Sequence, residues 1–195
     1  IAVFKGKRQY VSQMSCTEPC QILPAIRSVD DQIIADYLQR QKQIYAMDFN
    51  DLVYFTLDIF ARHPEVLEKW QDRLNYIQVD EFQDSSPTEM ELMDLLSAKH
   101  KNLMIVGDPD QNIYEWRGSN VNLLVDFDQK HLPTRTVFLN QNYRSTPQIL
   151  RCANTLIEKN EYRLKKDLFT LGGDGAAVYH YHTKSEYAEA DRIVE

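Results

Sequence analysis

The sequence is short of basic charge, of cysteine and of long apolar runs, and each shortage excludes something. Its 22 Lys and Arg stand against 29 Asp and Glu, for a net charge of −7 and a pI of about 5.3. That balance argues against a surface that is basic throughout, the usual footprint of phosphate-backbone binding, and leaves room only for a local cationic groove. Cys16, Cys20 and Cys152 are too few and too unevenly placed for a disulfide framework, and Cys16 and Cys20 lack the second pair that would complete a zinc site. Such usage agrees with a reducing compartment and a cytoplasmic location. No apolar run approaches the roughly 18 residues of a membrane span. The first segment, IAVFKGKRQY, lacks the apolar core of a signal peptide, and mean hydropathy is −0.50. A phosphate cradle of the form G-x-x-x-x-G-K-[ST] is missing too. The only Gly-Lys is Gly6-Lys7, followed by Arg8 with no glycine upstream.

What is present is enough for a packed core: 195 residues, 43% of them hydrophobic, suggest one or two domains. The chain opens on Ile1, and its last residues, EADRIVE, read as part of an amphipathic helix, so an excised piece of a longer chain is expected. Residues 1 to about 28 hold Pro19 and Pro24 without clear periodicity, which suggests a loop-rich edge with at most a short strand pair. From Asp30 the period becomes helical: Ile33, Ile34, Tyr37, Leu38, Gln41, Ile44 and Tyr45, then Phe49, Leu52, Val53, Thr56, Leu57 and Phe60. Pro64 suits the first turn of a third helix carrying Val66, Leu67 and Trp70.

The middle of the chain changes period. YIQVD, NLMIVGD and TRTVFLN are short apolar runs rich in β-branched residues. Between the first two, Ser86, Pro87 and Glu89 read as N-cap, first residue and capping-box partner of a helix. Strand, helix and strand imply a right-handed crossover and a parallel sheet, hence an α/β fold with flanking helices. A second crossover, from about Val121 to His131, reaches the third run. Thr146 and Pro147 then cap a helix, and GGDG precedes a last strand, AVYHYH.

In open parallel sheets, ligands bind beyond the carboxyl ends of the strands. Each of the three runs carries a polar cluster there, DEFQD, GDPDQNIYEWRG and NQNYRS, which points to one shared site. Asp80 at a strand end can reach a hydrated magnesium ion, and Glu81 can accept a proton from an attacking water, although a bare Asp-Glu pair also suits a solvated acidic turn. Gln111 follows a Gly-Asp-Pro-Asp turn, and its amide can orient water or touch a phosphate oxygen. Tyr114, Trp116 and Arg117 put two rings and a guanidinium within four residues, a pattern that suits base stacking or an aromatic core loop. Tyr143 and Arg144 offer another ring and another fork.

Taken together, VDEFQD, VGDPDQNIYEWRG and LNQNYRST, in this order and spacing, resemble the superfamily 1 DNA helicases of the UvrD/Rep/PcrA type. The likeness runs from about Asp48 to the end, with MDFNDL matching a further segment of that family. It implies an ATP-driven motor built of two RecA-like domains that moves 3′ to 5′ on single-stranded DNA in repair, replication or recombination. Single-stranded or 3′-tailed duplex DNA would be its substrate, repair or recombination proteins its partners, and a membrane would have no part. By that resemblance Asp80 coordinates Mg2+, Glu81 activates the hydrolytic water, Gln111 senses the γ-phosphate of ATP, Tyr143 stacks on adenine and Arg144 is an arginine finger. Tyr114, Trp116 and Arg117 line the DNA track. The fold expected is a partial RecA-like parallel sheet without its first strand and P-loop, plus the start of a second RecA-like domain. Residues 1–45 would be a remnant of a helical insertion, 46–139 the core of the first motor domain and 140–195 the beginning of the second.

Three positions depart from the family pattern. Asn112 stands where Ser is common, Glu89 where Gln is usual, and Glu115 where a basic or small residue is frequent. Asn112 keeps hydrogen-bonding capacity, Glu89 fits the capping box, and Glu115 adds negative charge beside the expected DNA track. Without its cradle the fragment is expected to be inactive alone. Two other readings stay open: a non-catalytic module binding DNA or protein, and a metal-dependent nuclease using Asp80, Glu81, Asp84 and Asp108. His180 and His182 share one face of the last strand and read as exposed strand residues.

Overall fold

A computed structural model describes residue 5 and residues 10–14, 26–160 and 164–194. Chain contacts divide it into two compact units, Ile1–Leu124 and Val125–Glu195. Most of the edge expected over residues 1 to 28, with Cys16, Cys20 and the Gly6-Lys7 pair, lies outside the described residues. Of the residues described there, Lys5 and α1, Val11–Met14, are helical.

The first unit then runs through α2 (Val29–Gln43), α3 (Phe49–Arg62), α4 (Pro64–Arg73), β1 (Ile77–Val79), α5 (Pro87–Ser97) and β2 (Leu103–Ile105). Each helix begins where its sequence can satisfy the first N–H groups. Ser28 accepts from Asp31 N at α2, Asp48 and Asp51 form a capping box at α3, and Pro64 opens α4. The expected Ser86/Glu89 capping box is formed at α5, behind Pro87. Acidic residues in the first turn of α2 and basic ones in its last complement the helix dipole.

β1 and β2 pair in parallel, Ile77 opposite Leu103 and Val79 opposite Ile105, with α5 as the connection. Among the described residues the sheet has these two strands. Helices α3, α4 and α5 pack on one another, and Gln71 of α4 donates to the Leu95 carbonyl of α5 at 2.7 Å. A separate core joins Tyr10 and Val11 to Leu38 and Tyr54, with Met14, Ile34, Tyr37 and Phe55 packed around them. No described helix is long and apolar enough to cross a membrane.

Beyond β2 come α6 (Asn122–Val125), α7 (Phe127–Lys130), α8 (Pro147–Ile157) and α9 (Glu186–Val194). Here two expected strands are corrected. TRTVFLN is not a strand, only its last residue, Asn140, accepting the Phe169 N–H at 3.1 Å, and AVYHYH forms no strand, so among the described residues the second crossover reaches no third sheet strand. The reason is that a strand exists by pairing, and β-branched residues supply only a tendency. Val137, Phe138, Leu139, Val178, Tyr179 and Tyr181 are all exposed, with no neighbouring strand among the described residues of this unit to hold them. What remains of the ladder is one parallel bridge between Gln141 and Phe169. Pro147 does open α8 after Thr146, although the threonine side chain makes no capping bond.

Candidate functional site

The turn after β1 is unusually constrained. Asp80 follows the strand, and its Oδ1 accepts the Glu81 N–H at 2.9 Å. Glu81 sits at φ 50° and ψ 38°, a left-handed conformation that costs a non-glycine residue on the order of 1–3 kcal/mol. The surroundings hold it there. Phe82, fully buried, donates its backbone N–H to the Val106 carbonyl at 2.9 Å, which fastens the turn to the end of β2. Residues Phe82–Asp84 form a 3-10 turn, so Asp84 closes the turn that Glu81 opens.

Gln83 is the centre of this arrangement. It is 2% exposed, its Nε2 donates to Glu81 Oε2 at 2.7 Å, and its Oε1 accepts the Asp108 N–H at 3.0 Å. Its backbone carbonyl takes a hydrogen bond from Asn112 Nδ2. The second strand-end turn must therefore approach closely, and Gly107 permits it: a Cβ there would lie 2.7 Å from Gln83 Oε1 and 3.2 Å from Gln83 N. Asp108 in turn organises the residues after it. Its Oδ1 accepts Asp110 N at 3.0 Å and its Oδ2 accepts Gln111 Nε2 at 2.9 Å. The Gln111 amide, exposed to solvent, is thus held by a carboxylate one turn away.

The structure therefore joins the ends of β1 and β2 into one polar centre carrying Asp80, Glu81 and Gln111. Two exposed carboxylates and an oriented amide can hold a cation, accept a proton and donate to an anion. Asp80 Oδ2 has no hydrogen-bonding partner among the described residues. A magnesium ion keeps most of its waters and takes one or two protein carboxylates, so this oxygen fits such an ion as a single ligand. Among the described residues, no three His, Cys, Asp or Glu side chains gather into a metal-holding group.

Next to it, the Tyr114–Arg117 segment forms an aromatic and cationic knot, with Tyr114 half-buried and Trp116 and Arg117 exposed. Glu115–Arg117 is a 3-10 turn closed by Gly118 at φ 95°. The Tyr114 and Trp116 rings lie 6.4 Å apart, and the Arg117 guanidinium carbon is 5.3 Å from the first ring and 5.2 Å from the second. Trp116 is 78% exposed, so its ring is a surface feature rather than part of an aromatic core loop. Asn112 supports the segment from below by accepting Tyr114 N at 3.2 Å and by bonding to Ser119 Oγ. The departure from Ser at this position thus keeps its hydrogen bonds. Glu115 is exposed.

In the second unit, Tyr143 and Arg144 ride on a turn organised by Asn142, whose Oδ1 accepts Arg144 N at 2.9 Å and Ser145 N at 2.7 Å. Asn142 is itself pinned by its own N–H to the Phe169 carbonyl at 2.7 Å. Tyr143 is 86% exposed, which leaves both ring faces available for stacking. Cys152 is a free, exposed thiol.

Four residues with organising contacts were not singled out as such from sequence: Gln83, Asp108 as a support for Gln111, Asn142, and Lys5. Lys5 is fully buried beneath the MDFNDL segment. Its Nζ reaches Asp51 Oδ1 at 2.7 Å, Asp48 Oδ2 at 2.7 Å and Gln41 Oε1 at 2.8 Å. Tyr10 donates to Asp51 at 2.6 Å and Tyr37 to Asp48 at 3.0 Å. Burial works against ionisation of Asp48, but hydrogen bonds from Lys5, the Asp51 backbone and Tyr37 outweigh it and hold this carboxyl below the usual range. Burial and the neighbouring carboxylates push the Tyr10 and Tyr37 hydroxyls up.

Comparison with known proteins agrees with the motifs. Residues 17–132 match the family model of the UvrD/REP helicase N-terminal domain, and residues 137–195 match that of the UvrD-like helicase C-terminal domain. The ATP-dependent DNA helicase PcrA of Staphylococcus aureus is 40% identical over 162 residues, which are 83% of this chain and 22% of that protein. The protein of the same name from Leuconostoc citreum is 39% identical over 163 residues, 84% of this chain and 22% of its own length. The Staphylococcus epidermidis PcrA is 40% identical over 159 residues, with 82% and 22% covered. The chain thus spans 22% of the length of these relatives.

Proposed function

The chain belongs to the UvrD/REP helicase family, and from that footing we propose that the protein carrying it is an ATP-dependent DNA helicase moving 3′ to 5′ on single-stranded DNA. The observation that carries this reading is the junction made by Gln83, which brings the Asp80–Glu81 pair and the Gln111 turn into one centre at the carboxyl ends of parallel strands.

Each residue has a role suited to its surroundings. Asp80 offers an unpartnered oxygen to a hydrated divalent cation. Glu81 keeps one carboxylate oxygen on Gln83 and presents the other to accept a proton from water. Gln111, steadied by Asp108, donates its remaining amide hydrogen toward a phosphate oxygen. Tyr143 supplies a face for the adenine, and Arg144 a fork for the charge that develops on the terminal phosphate. Bound ATP would supply the phosphoanhydride bond whose hydrolysis drives movement. Tyr114 and Trp116 stack bases while Arg117 meets the backbone charge. This local patch is how an acidic chain would hold a polyanion.

In this reading residues 46–139 are the core of a first motor domain, residues 140–195 begin a second, and residues 1–45 derive from a helical insertion. The segment by itself should hydrolyse ATP barely, since no G-x-x-x-x-G-K-[ST] cradle lies within it. The protein acts in the cytoplasm on repair or recombination intermediates. Strand displacement by the full-length protein, on matched duplexes with a 3′ or a 5′ single-stranded tail, tests the reading. ATP-dependent displacement from the 3′-tailed substrate is expected, and displacement from the 5′-tailed one alone would reverse the assigned direction.

A further inference from the structure

We infer that Gln83 is a positioning residue for hydrolysis, holding the Glu81 carboxylate in one orientation through a side-chain amide anchored on Asp108. The inference rests on the reading of Glu81 as the general base. An exposed glutamate has three side-chain torsions to order, and a base must be aimed at its water to be effective. The left-handed backbone at Glu81 directs the side chain only as far as its first bond. Gln83 supplies the rest, from a position with almost no freedom of its own. Its side chain is buried, its backbone carbonyl is tied to Asn112, and Gly107 closes the space on its other side.

The orientation of the amide is fixed by chemistry. The Asp108 N–H can only donate, so the oxygen of the Gln83 amide must face it. The nitrogen then faces Glu81, and its N–H is a donor that an ionised carboxylate accepts at 2.7 Å. Glu81 Oε1 has no partner among the described residues and remains available for a proton. Both ends of the amide are thus used, one for the scaffold and one for the base.

A double-mutant cycle in the full-length protein tests this, using single-turnover ATP hydrolysis and nucleotide affinity. Gln83→Met removes both hydrogen bonds at similar volume. With Glu81 present it should slow hydrolysis by about tenfold to a hundredfold, the scale of a misplaced reacting group. Nucleotide affinity should stay within about twofold, since the loss is confined to the chemical step. In a Glu81→Ala background, where there is no carboxylate to aim, Gln83→Met should cost markedly less, only what the lost bond to Asp108 contributes through the Gln111 turn. Gln83→Glu keeps the acceptor for Asp108 N–H and loses the donor for Glu81. It should be slow as well, and it carries the test if the methionine variant does not fold. Equal losses in the two backgrounds, or a wild-type rate in both Gln83 variants, would overturn the inference while leaving the helicase reading intact. A full-length wild type that hydrolyses no ATP would overturn both.

Discussion

The side-chain carbonyl of Gln83 accepts the backbone N–H of Asp108 at 3.0 Å, across 25 residues of sequence. The turn that carries Glu81 and the turn that carries Gln111 therefore share a hydrogen bond, and neither can shift without the other. Gly107 is the hinge of that approach. A methyl group there would meet the Gln83 amide oxygen at 2.7 Å and its backbone nitrogen at 3.2 Å. The amide could swing aside, but the backbone could not. Gly107→Ala should destabilise the chain by about 1–3 kcal/mol, read as a lower urea midpoint at unchanged slope. A midpoint equal to wild type would mean that the two turns are free to separate.

The buried cluster around Lys5 should matter for stability in proportion to its isolation from water. Lys5 and Asp51 are both fully buried and 2.7 Å apart. Lys5→Met leaves Asp51 buried without its counter-charge, a change that costs about 3–5 kcal/mol. Replacing both partners by apolar residues, as Lys5→Met with Asp51→Leu, should recover part of that loss. Equilibrium urea unfolding of the three variants provides the comparison, and a double variant weaker than Lys5→Met would argue against a charge origin.

Acid should loosen the same region, and the sign follows from Asp48. Its carboxyl is held below the unfolded value, so the folded state binds fewer protons. The stability it contributes is present in full above about pH 4 and is lost as pH falls through the folded value. Tyr10 works at the other extreme. Burial and Asp51 push its hydroxyl up, so its contribution persists below about pH 10 and is lost above it. Asp48→Asn should flatten the fall of the urea midpoint between about pH 5 and 3, and Tyr10→Phe should flatten the fall above about pH 10. Slopes identical to wild type in both variants would remove these groups from the pH dependence.

Trp116 should be a binding residue with little structural value. Its ring is exposed and touches Tyr114 and Arg117 from outside the core. In the full-length protein Trp116→Ala should weaken single-strand binding by about 1–3 kcal/mol, the range for one stacked base, with the melting temperature of the variant unchanged. Trp116→Phe should keep part of the affinity. Anisotropy of a labelled oligonucleotide at fixed salt measures all three proteins.

Much of this architecture could be read from residues close together in sequence. Ser86, Pro87 and Glu89 announce α5 because a capping box is a local device, and the runs ending at Asp80 and Asp108 pair as β1 and β2. The location of Asp80, Glu81 and Gln111 at strand ends follows from the same pattern. What was not legible depends on distant partners. TRTVFLN has the composition of a strand, yet pairing requires a neighbour that the composition cannot supply. Lys5 meets Asp48 and Asp51 across 43 and 46 residues, and no spacing in the sequence links them. Gln83 is one polar residue among several in DEFQD. Its role emerges only when the turn after β2 arrives beside it.

The central assignment is Glu81 as the base at the joined strand ends, and Glu81→Gln in the full-length protein tests it most directly. The amide keeps the size of the side chain and loses the capacity to take a proton. Single-turnover ATP hydrolysis should fall by at least about a hundredfold, the lower range for loss of a general base, while nucleotide binding is retained. Hydrolysis at the wild-type rate by Glu81→Gln would contradict the assignment.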